Sequence, residues 1–332
     1  MNLRIGILIA ACIALLAACI AFTGVDPGKA FGDLIQATLG NDRNLGRTLR
    51  ETTPLLLAGL AVFVALKAGL FNIGVEGQLT MGALACGIVA LAIPGPGGMV
   101  LGIVAGMAAG ALWAFPAGWI KAYRGGHEVI STIMLNNIAA GISLALLAGP
   151  LKDPGQESTT MAEISPATQI PNLFTSGRFQ FNWVTLIAAL LIGAVGYWLK
   201  RHVRGYELRL TGENPRAAEF AGVDVKKVTV RAMSSSGALG GLTGSVLVLA
   251  YEHRFYQSIS SGYGFDALGV ALLSGSHPLG IVPAALLFGI LNKGSSAIQI
   301  LGIPKGITYI VLAALIIVFA ALRYRRSTVY AN

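Results

Sequence analysis

A succession of apolar runs, most of them long enough to cross about 30 Å of hydrocarbon as a helix, constrains this chain more than any other feature. Ten are expected, near residues 5–23, 52–68, 77–93, 99–120, 129–149, 182–199, 229–250, 265–275, 278–293 and 306–322. The run at 265–275 is too short to cross unaided and reads as a half-helix or re-entrant element supported by neighbouring protein. Composition agrees: 55% of the 332 residues are hydrophobic and only 12% charged, against roughly 25% charged in soluble domains. The expected fold class is therefore an all-α membrane protein, a polytopic bundle of about ten transmembrane segments forming one domain over 1–332. Cys12, Cys19 and Cys86 lie inside apolar runs without paired spacing, so neither a disulfide framework nor a zinc site is indicated. No metal or cofactor is expected.

Basic residues set the orientation. With the N-terminus inside and ten passes, the inner segments collect fifteen of the 24 Lys and Arg residues, among them Arg4, Lys67, Lys121, Lys200, Arg209, Lys226 and Arg325. Both termini are thereby placed in the cytoplasm. The net charge of +9 is then a topology signal rather than a nucleic-acid footprint. LLAAC at 15–19 resembles a lipoprotein cleavage box, but the apolar run continues past Cys19, so the first segment reads as a retained helix.

Against this background GLFNIGVEGQL, residues 69–79, stands out. Ionisable groups at membrane depth are costly and rarely accidental. Gly69, Gly74 and Gly77 let the helix break, and Asn72, Glu76 and Gln78 then either face a water-filled cavity or bond the freed backbone. SGYGFDALGVALLSGSHPLG is a comparable feature in the second half, with Asp266 placed as a helix N-cap. Residues 52–149 and 229–322 read as two four-span units entering the membrane from opposite sides, a possible inverted repeat. Asn136 and Asn137 project about 100° apart on a helix, so at least one meets another helix or the path. The four-residue spacing of Gly102, Gly106, Gly110, Ala114 and Gly118, and of Gly237, Gly241 and Ser245, reads as close helix packing.

Two long outer loops are expected at 24–51 and 150–181. The inner loop 200–231 contains NPRAAEFAG, where Asn214 suits an N-cap, Pro215 the first helical position and Gly222 the stop. The short helix between them reads either as a solvated turn or as an element that docks into a groove on another protein.

Four ordered blocks, GLFNIGVEGQLTMGA, GGHEVISTIMLNNIA, RGYELRLTGENPRAAEFAGV and GFDALGVALLSGSHPLGIVPAALLFGIL, resemble the permease subunits of bacterial ATP-binding-cassette importers for nucleosides and simple sugars, more distantly those for ribose and branched-chain amino acids. The resemblance covers about 50–322, the permease core, and leaves 1–50 as a first helix and outer loop. It implies an inner-membrane permease that pairs with a second, similar permease. A separate ATPase would dock from the cytoplasm and a substrate-binding lipoprotein would deliver cargo from outside. It also implies that 200–231 is the coupling loop, with Asn214, Arg216, Ala217, Ala218 and Gly222 at the ATPase contact and Ala218 on the docked face. Ser276 stands where relatives often carry Asn, which puts a role for that amide in doubt.

The chain lacks the G-x-x-x-x-G-K-[ST] phosphate loop, so ATP is hydrolysed elsewhere. An intramembrane enzyme is the rival of a different class. His127-Glu128 forms half of an H-E-x-x-H zinc motif, but Ser131 occupies the second ligand position. An ATP-independent secondary transporter or channel is the remaining alternative and would require its own coupling-ion site.

Overall fold

The computed structural model describes residues 17–304 except 177 and 178, together with Ala14 and a few positions between 306 and 314. The expected runs at 5–23 and 306–322 therefore lie largely outside the described residues, as do Arg4, Cys12 and Arg325.

Helix α1 spans Pro27–Leu39 and α2 spans Asp42–Lys67. Helix α1 and the first ten residues of α2, 42–51, occupy sequence expected to be an outer loop, because each helix carries a strong start signal. Asp26 caps the amides of Gly28 and Lys29 ahead of Pro27, and Asn41 Oδ1 accepts from Asn44 N at 2.9 Å. The chain continues through α3 (Val75–Ala92), α4 (Pro96–Arg124), α5 (Glu128–Ala148) and α6 (Trp183–Arg201). Two short helices follow, α7 (Val203–Glu213) and α8 (Pro215–Phe220), then α9 (Val225–Val246) with a wider π-helical turn to Glu252. The described helices end with α10 (Tyr263–Ser274) and α11 (Ile281–Gln299). The molecule is thus a mostly helical, multi-pass membrane protein. Seven helical stretches among the described residues are long and apolar enough to cross a membrane, and α10 is shorter. The eighth expected run is therefore a half-helix.

One departure from an all-helical chain lies in the second outer loop. Asn172–Ser176 (β1) pairs antiparallel with Phe179–Asn182 (β2), where aromatic and polar residues alternate as a strand requires.

Helix α2 forms the buried axis of the bundle, with Leu55 through Val64 almost wholly enclosed. Beside it, α3, α4 and α9 cross closely enough for backbones to touch. A Cβ added at Gly106 or Gly110 would overlap Ser245 or the Gly237 carbonyl, and one at Gly82 would overlap Gly241. The small residues thus serve close helix packing. By contrast α4 and α5 leave broad apolar faces exposed, including Val104, Leu112, Ile130, Met134 and Ile138.

Candidate functional site

The break after α2 builds the site. Gly69 adopts φ +74°, which a side chain resists, and α3 begins at Val75 without a side-chain cap of its own. Other side chains supply the missing partners. Asn136 Oδ1 accepts from Gly77 N at 2.9 Å and its Nδ2 donates to the Ile73 carbonyl at 3.0 Å. Gly77 is required here, because a Cβ would sit 2.8 Å from that Asn136 oxygen. Asn72, fully buried, accepts from Gly74 N at 2.9 Å and from Gln78 Nε2 at 3.1 Å, and donates to Ser236 Oγ at 2.8 Å. Ser236 passes its own proton to the Ala61 carbonyl at 2.6 Å. Ala61 and Ser236 lie well inside α2 and α9 respectively, so this network occupies the interior of the bundle. Asn72 and Asn136 therefore bond the break, and Gln78 braces Asn72.

Glu76 points elsewhere. Its Oε1 accepts from Ser260 Oγ and its Oε2 from Gly264 N at 2.8 Å. These partners come from the second glycine-rich feature, 184 and 188 positions along the chain. Helix α10 has Gly262 as its N-cap residue and no side-chain cap. The Glu76 carboxylate fills that role from across the bundle while sitting in the first turn of α3. One carboxyl group thus meets two helix N-termini, whose aligned peptide dipoles favour an acceptor there. Gly264 is essential to the approach, since a Cβ there would overlap the Glu76 backbone.

The two helices leave this junction in opposite directions. Helix α10 runs toward the basic end of α6, where Lys200 Nζ lies 3.0 Å from His277 Nε2 and Pro278 packs on Gly196. Helix α3 runs toward the outer loop, where Gly95 N donates to Thr168 Oγ1 at 2.8 Å. The sequence identified both features separately, but no local pattern signals their meeting.

Two placements correct the sequence reading and one narrows it. Asp266 does not cap α10: it lies in the first turn and accepts from Asn292 Nδ2 at 2.7 Å. Asn137 is exposed on α5 and its amide donates to the Ile133 carbonyl of its own helix, so only Asn136 of the pair reaches another segment. Ala218 is fully buried and faces the subunit's interior, because a six-residue helix flanked by α7 and α9 turns one side inward. The rest of the short helix fits expectation: Asn214 Oδ1 accepts from Ala217 N at 3.1 Å, and Gly222 has φ +82°. Its outward side carries Arg216, Ala217 and Phe220, the last 94% exposed. Phe220 was missed; the signal was an aromatic residue on a short polar-flanked helix. Nearby, Asp224 caps α9 and pairs with Lys227 at 2.8 Å. That hydrogen-bonded ammonium holds the Asp224 carboxyl below its ordinary range.

Cavities mark both ends of the bundle. One of about 220 Å³ is lined by Arg47, Arg50, Glu51, Tyr251, Tyr263 and Lys293, with Tyr263 Oη donating to Glu51 at 2.6 Å. At the opposite end, one of about 370 Å³ lies among Gly69, Lys121, Thr211, Gly212, Pro215 and Lys226. The half zinc motif contributes no such site: Glu128 pairs with Lys121 at 2.8 Å.

Residues 44–320 match the family described as branched-chain amino acid transport system / permease component, and the chain belongs to that family of membrane transport subunits. It is 36% identical to a guanosine ABC transporter permease of Bacillus subtilis, over 91% of this chain and 88% of the relative. A nucleoside ABC transporter permease of Lactococcus lactis is 34% identical over 91% and 85% of the two chains. A glucose ABC transporter permease of Haloferax volcanii is 33% identical over 88% and 80%. No solved structure matches. The chain is accordingly an ABC importer's permease subunit and not an enzyme.

Proposed function

We propose that this permease carries a nucleoside across the bacterial inner membrane, with Glu76 at the centre of the path. The observation that carries the path assignment is the junction of α3 and α10 at one half-buried carboxyl group. Helix N-termini meeting within the bundle supply fixed dipoles and hydrogen-bonding groups beside a route for polar cargo. The opposite courses of α3 and α10 support an inverted arrangement of 52–149 and 229–322. Counting α10 together with the irregular segment 253–262 before it as one crossing, the seven spans and the two outermost expected runs bring the passes to ten, with both termini in the cytoplasm.

A second, similar permease completes the path. Two Bacillus subtilis relatives, 36% and 29% identical to this chain, both bear the description guanosine ABC transporter permease, which supports a pair of unlike chains. The open face of α5 is the seat for that partner: an exposed amide, Asn137, among apolar residues is better placed against protein or a water-filled path than against lipid. A binding lipoprotein delivers cargo at the Arg47–Tyr263 end. The ATPase docks at α8, where Phe220 supplies an aromatic anchor of the kind that dominates interfaces and Ala217 and Arg216 flank it.

Purified with its ATPase, second permease and binding protein in vesicles, the transporter should take up guanosine in an ATP-dependent manner, with excess glucose failing to compete. Competition by glucose but not by nucleosides would reassign the cargo to a sugar. Uptake that persists with a hydrolysis-dead ATPase would favour a secondary transporter. Phe220→Ala should remain inserted yet lose co-purification of the ATPase, and unchanged co-purification would remove α8 from the docking site. Cysteine at Glu213 should be labelled from the cytoplasm alone and cysteine at Gln156 from outside alone; reversed labelling would overturn the orientation.

A further inference from the structure

The coupling loop and the break in the path meet most closely where Gly212 packs on Gly69. A Cβ added at Gly69 would lie 3.2 Å from both the Cα and the carbonyl oxygen of Gly212. One added at Gly212, near the end of α7, would lie 2.8 Å from Gly69 N and would overlap the Lys67 carbonyl. Backbone therefore rests on backbone, with no side chain between them to absorb a displacement. On one side, α7 passes through Asn214 directly into α8. On the other, the chain runs from Gly69 through Asn72, locked to Ser236 and Gln78, to Glu76 and the N-terminus of α10.

We propose that the Gly212–Gly69 contact is the point at which nucleotide-driven movement of the coupling loop enters the translocation path, and that it is displaced through Asn72 and Glu76 to the segment at Ser260. This rests on the reading of α8 as the ATPase dock, but adds a route that docking alone does not require. A rigid backbone contact suits it, because packed elements transmit small shifts as discrete rearrangements rather than dissipating them. The neighbouring cavity at Lys121, Thr211 and Pro215 gives α7 room to move beside the fixed contact.

The test needs no knowledge of the cargo. In a complex whose permease has Cys12, Cys19 and Cys86 replaced, Ser261→Cys provides an exposed label site beside the Ser260–Glu76 bond. Its maleimide labelling rate is compared in the nucleotide-free complex and in the complex trapped with ATP and vanadate. The route predicts a severalfold difference between these states. Gly212→Ala should abolish that difference while the ATPase still co-purifies and hydrolyses ATP. Gly69→Asn, which tolerates the left-handed backbone but adds bulk at the contact, should do the same and covers the case in which Gly212→Ala fails to accumulate. Persistence of the difference in either inserted variant would overturn the proposal, as would its absence in the unaltered contact. Loss of ATPase binding in the inserted variants would make the contact part of the dock, and failure of both to insert would make it a packing requirement; each result also overturns transmission. If Phe220→Ala leaves co-purification intact, the docking reading fails instead.

Discussion

Two segments lead to Glu76, one from the end of the bundle that holds α7 and α8 and one from the end that holds the β1–β2 hairpin, and they are held in different ways. Residues 68–76 are fixed by side chains: Asn72, Gln78, Asn136 and Ser236 satisfy the freed backbone and one another inside the bundle. Residues 253–264 depend more on backbone. His253, Ser258 and Ser261 all take positive φ, and the outer loop holds the start of the segment through Met161 N to the Phe255 carbonyl and Ile164 N to the His253 carbonyl, both 2.8 Å. A side-chain lattice fixes geometry tightly, whereas several residues in the left-handed region store strain. In the proposed path the first segment serves as a lever and the second as a strained gate.

The largest expected effect comes from removing the junction itself. Glu76→Ala leaves Gly264 N without its buried acceptor, a cost of about 1–3 kcal/mol, and should lower uptake at least about tenfold or prevent insertion. Glu76→Gln keeps an acceptor oxygen and should retain partial uptake. Full uptake by both variants would leave the carboxylate without a role and erase the comparison.

A smaller effect should separate the segments. Asn72→Leu strands Gly74 N and loosens Gln78 and Ser236, so thermal inactivation of the purified complex should reveal a loss of about 2 kcal/mol. Ser261→Gly, at φ +46°, should instead stabilise by up to about 1 kcal/mol through relief of left-handed strain. Destabilisation by Ser261→Gly would mean that the second segment is as fixed as the first. Smaller still, amide hydrogen exchange should be faster across 256–262 than across 72–79, and equal protection would contradict the distinction between lever and gate.

Much of the frame was legible because membrane burial leaves a plain signature. Long apolar runs gave the helices, and Gly69, Gly74 and Gly77 beside Asn72 and Gln78 marked the break. Asn214, Pro215 and Gly222 bounded α8 through local rules of capping and chirality. What was not legible depended on relations between distant segments. Glu76 read as facing a cavity or bonding the break beside it, yet its partners are the distant Ser260 and Gly264. Asn136 and Asn137 are chemically identical neighbours, and only the position of α3 decides which one serves the break. Ala218 turned inward, and Phe220, which had drawn no attention, turned outward, because the inward side of a six-residue helix is set by α7 and α9 rather than by its own composition. The caps at Asp26 and Asn41 were readable, but the loop's mixed polarity hid them.

The central claim is that Glu76 joins the two segments energetically as well as geometrically. A double-mutant cycle of Glu76→Gln with Ser260→Ala, read as ATP-driven uptake rate at equal levels of inserted complex, tests this most directly. The account predicts that the two losses fail to add by about 1 kcal/mol or more, as expected for groups sharing one hydrogen bond. Additivity within about 0.3–0.5 kcal/mol would mean that the two half-helices act independently, and would contradict it.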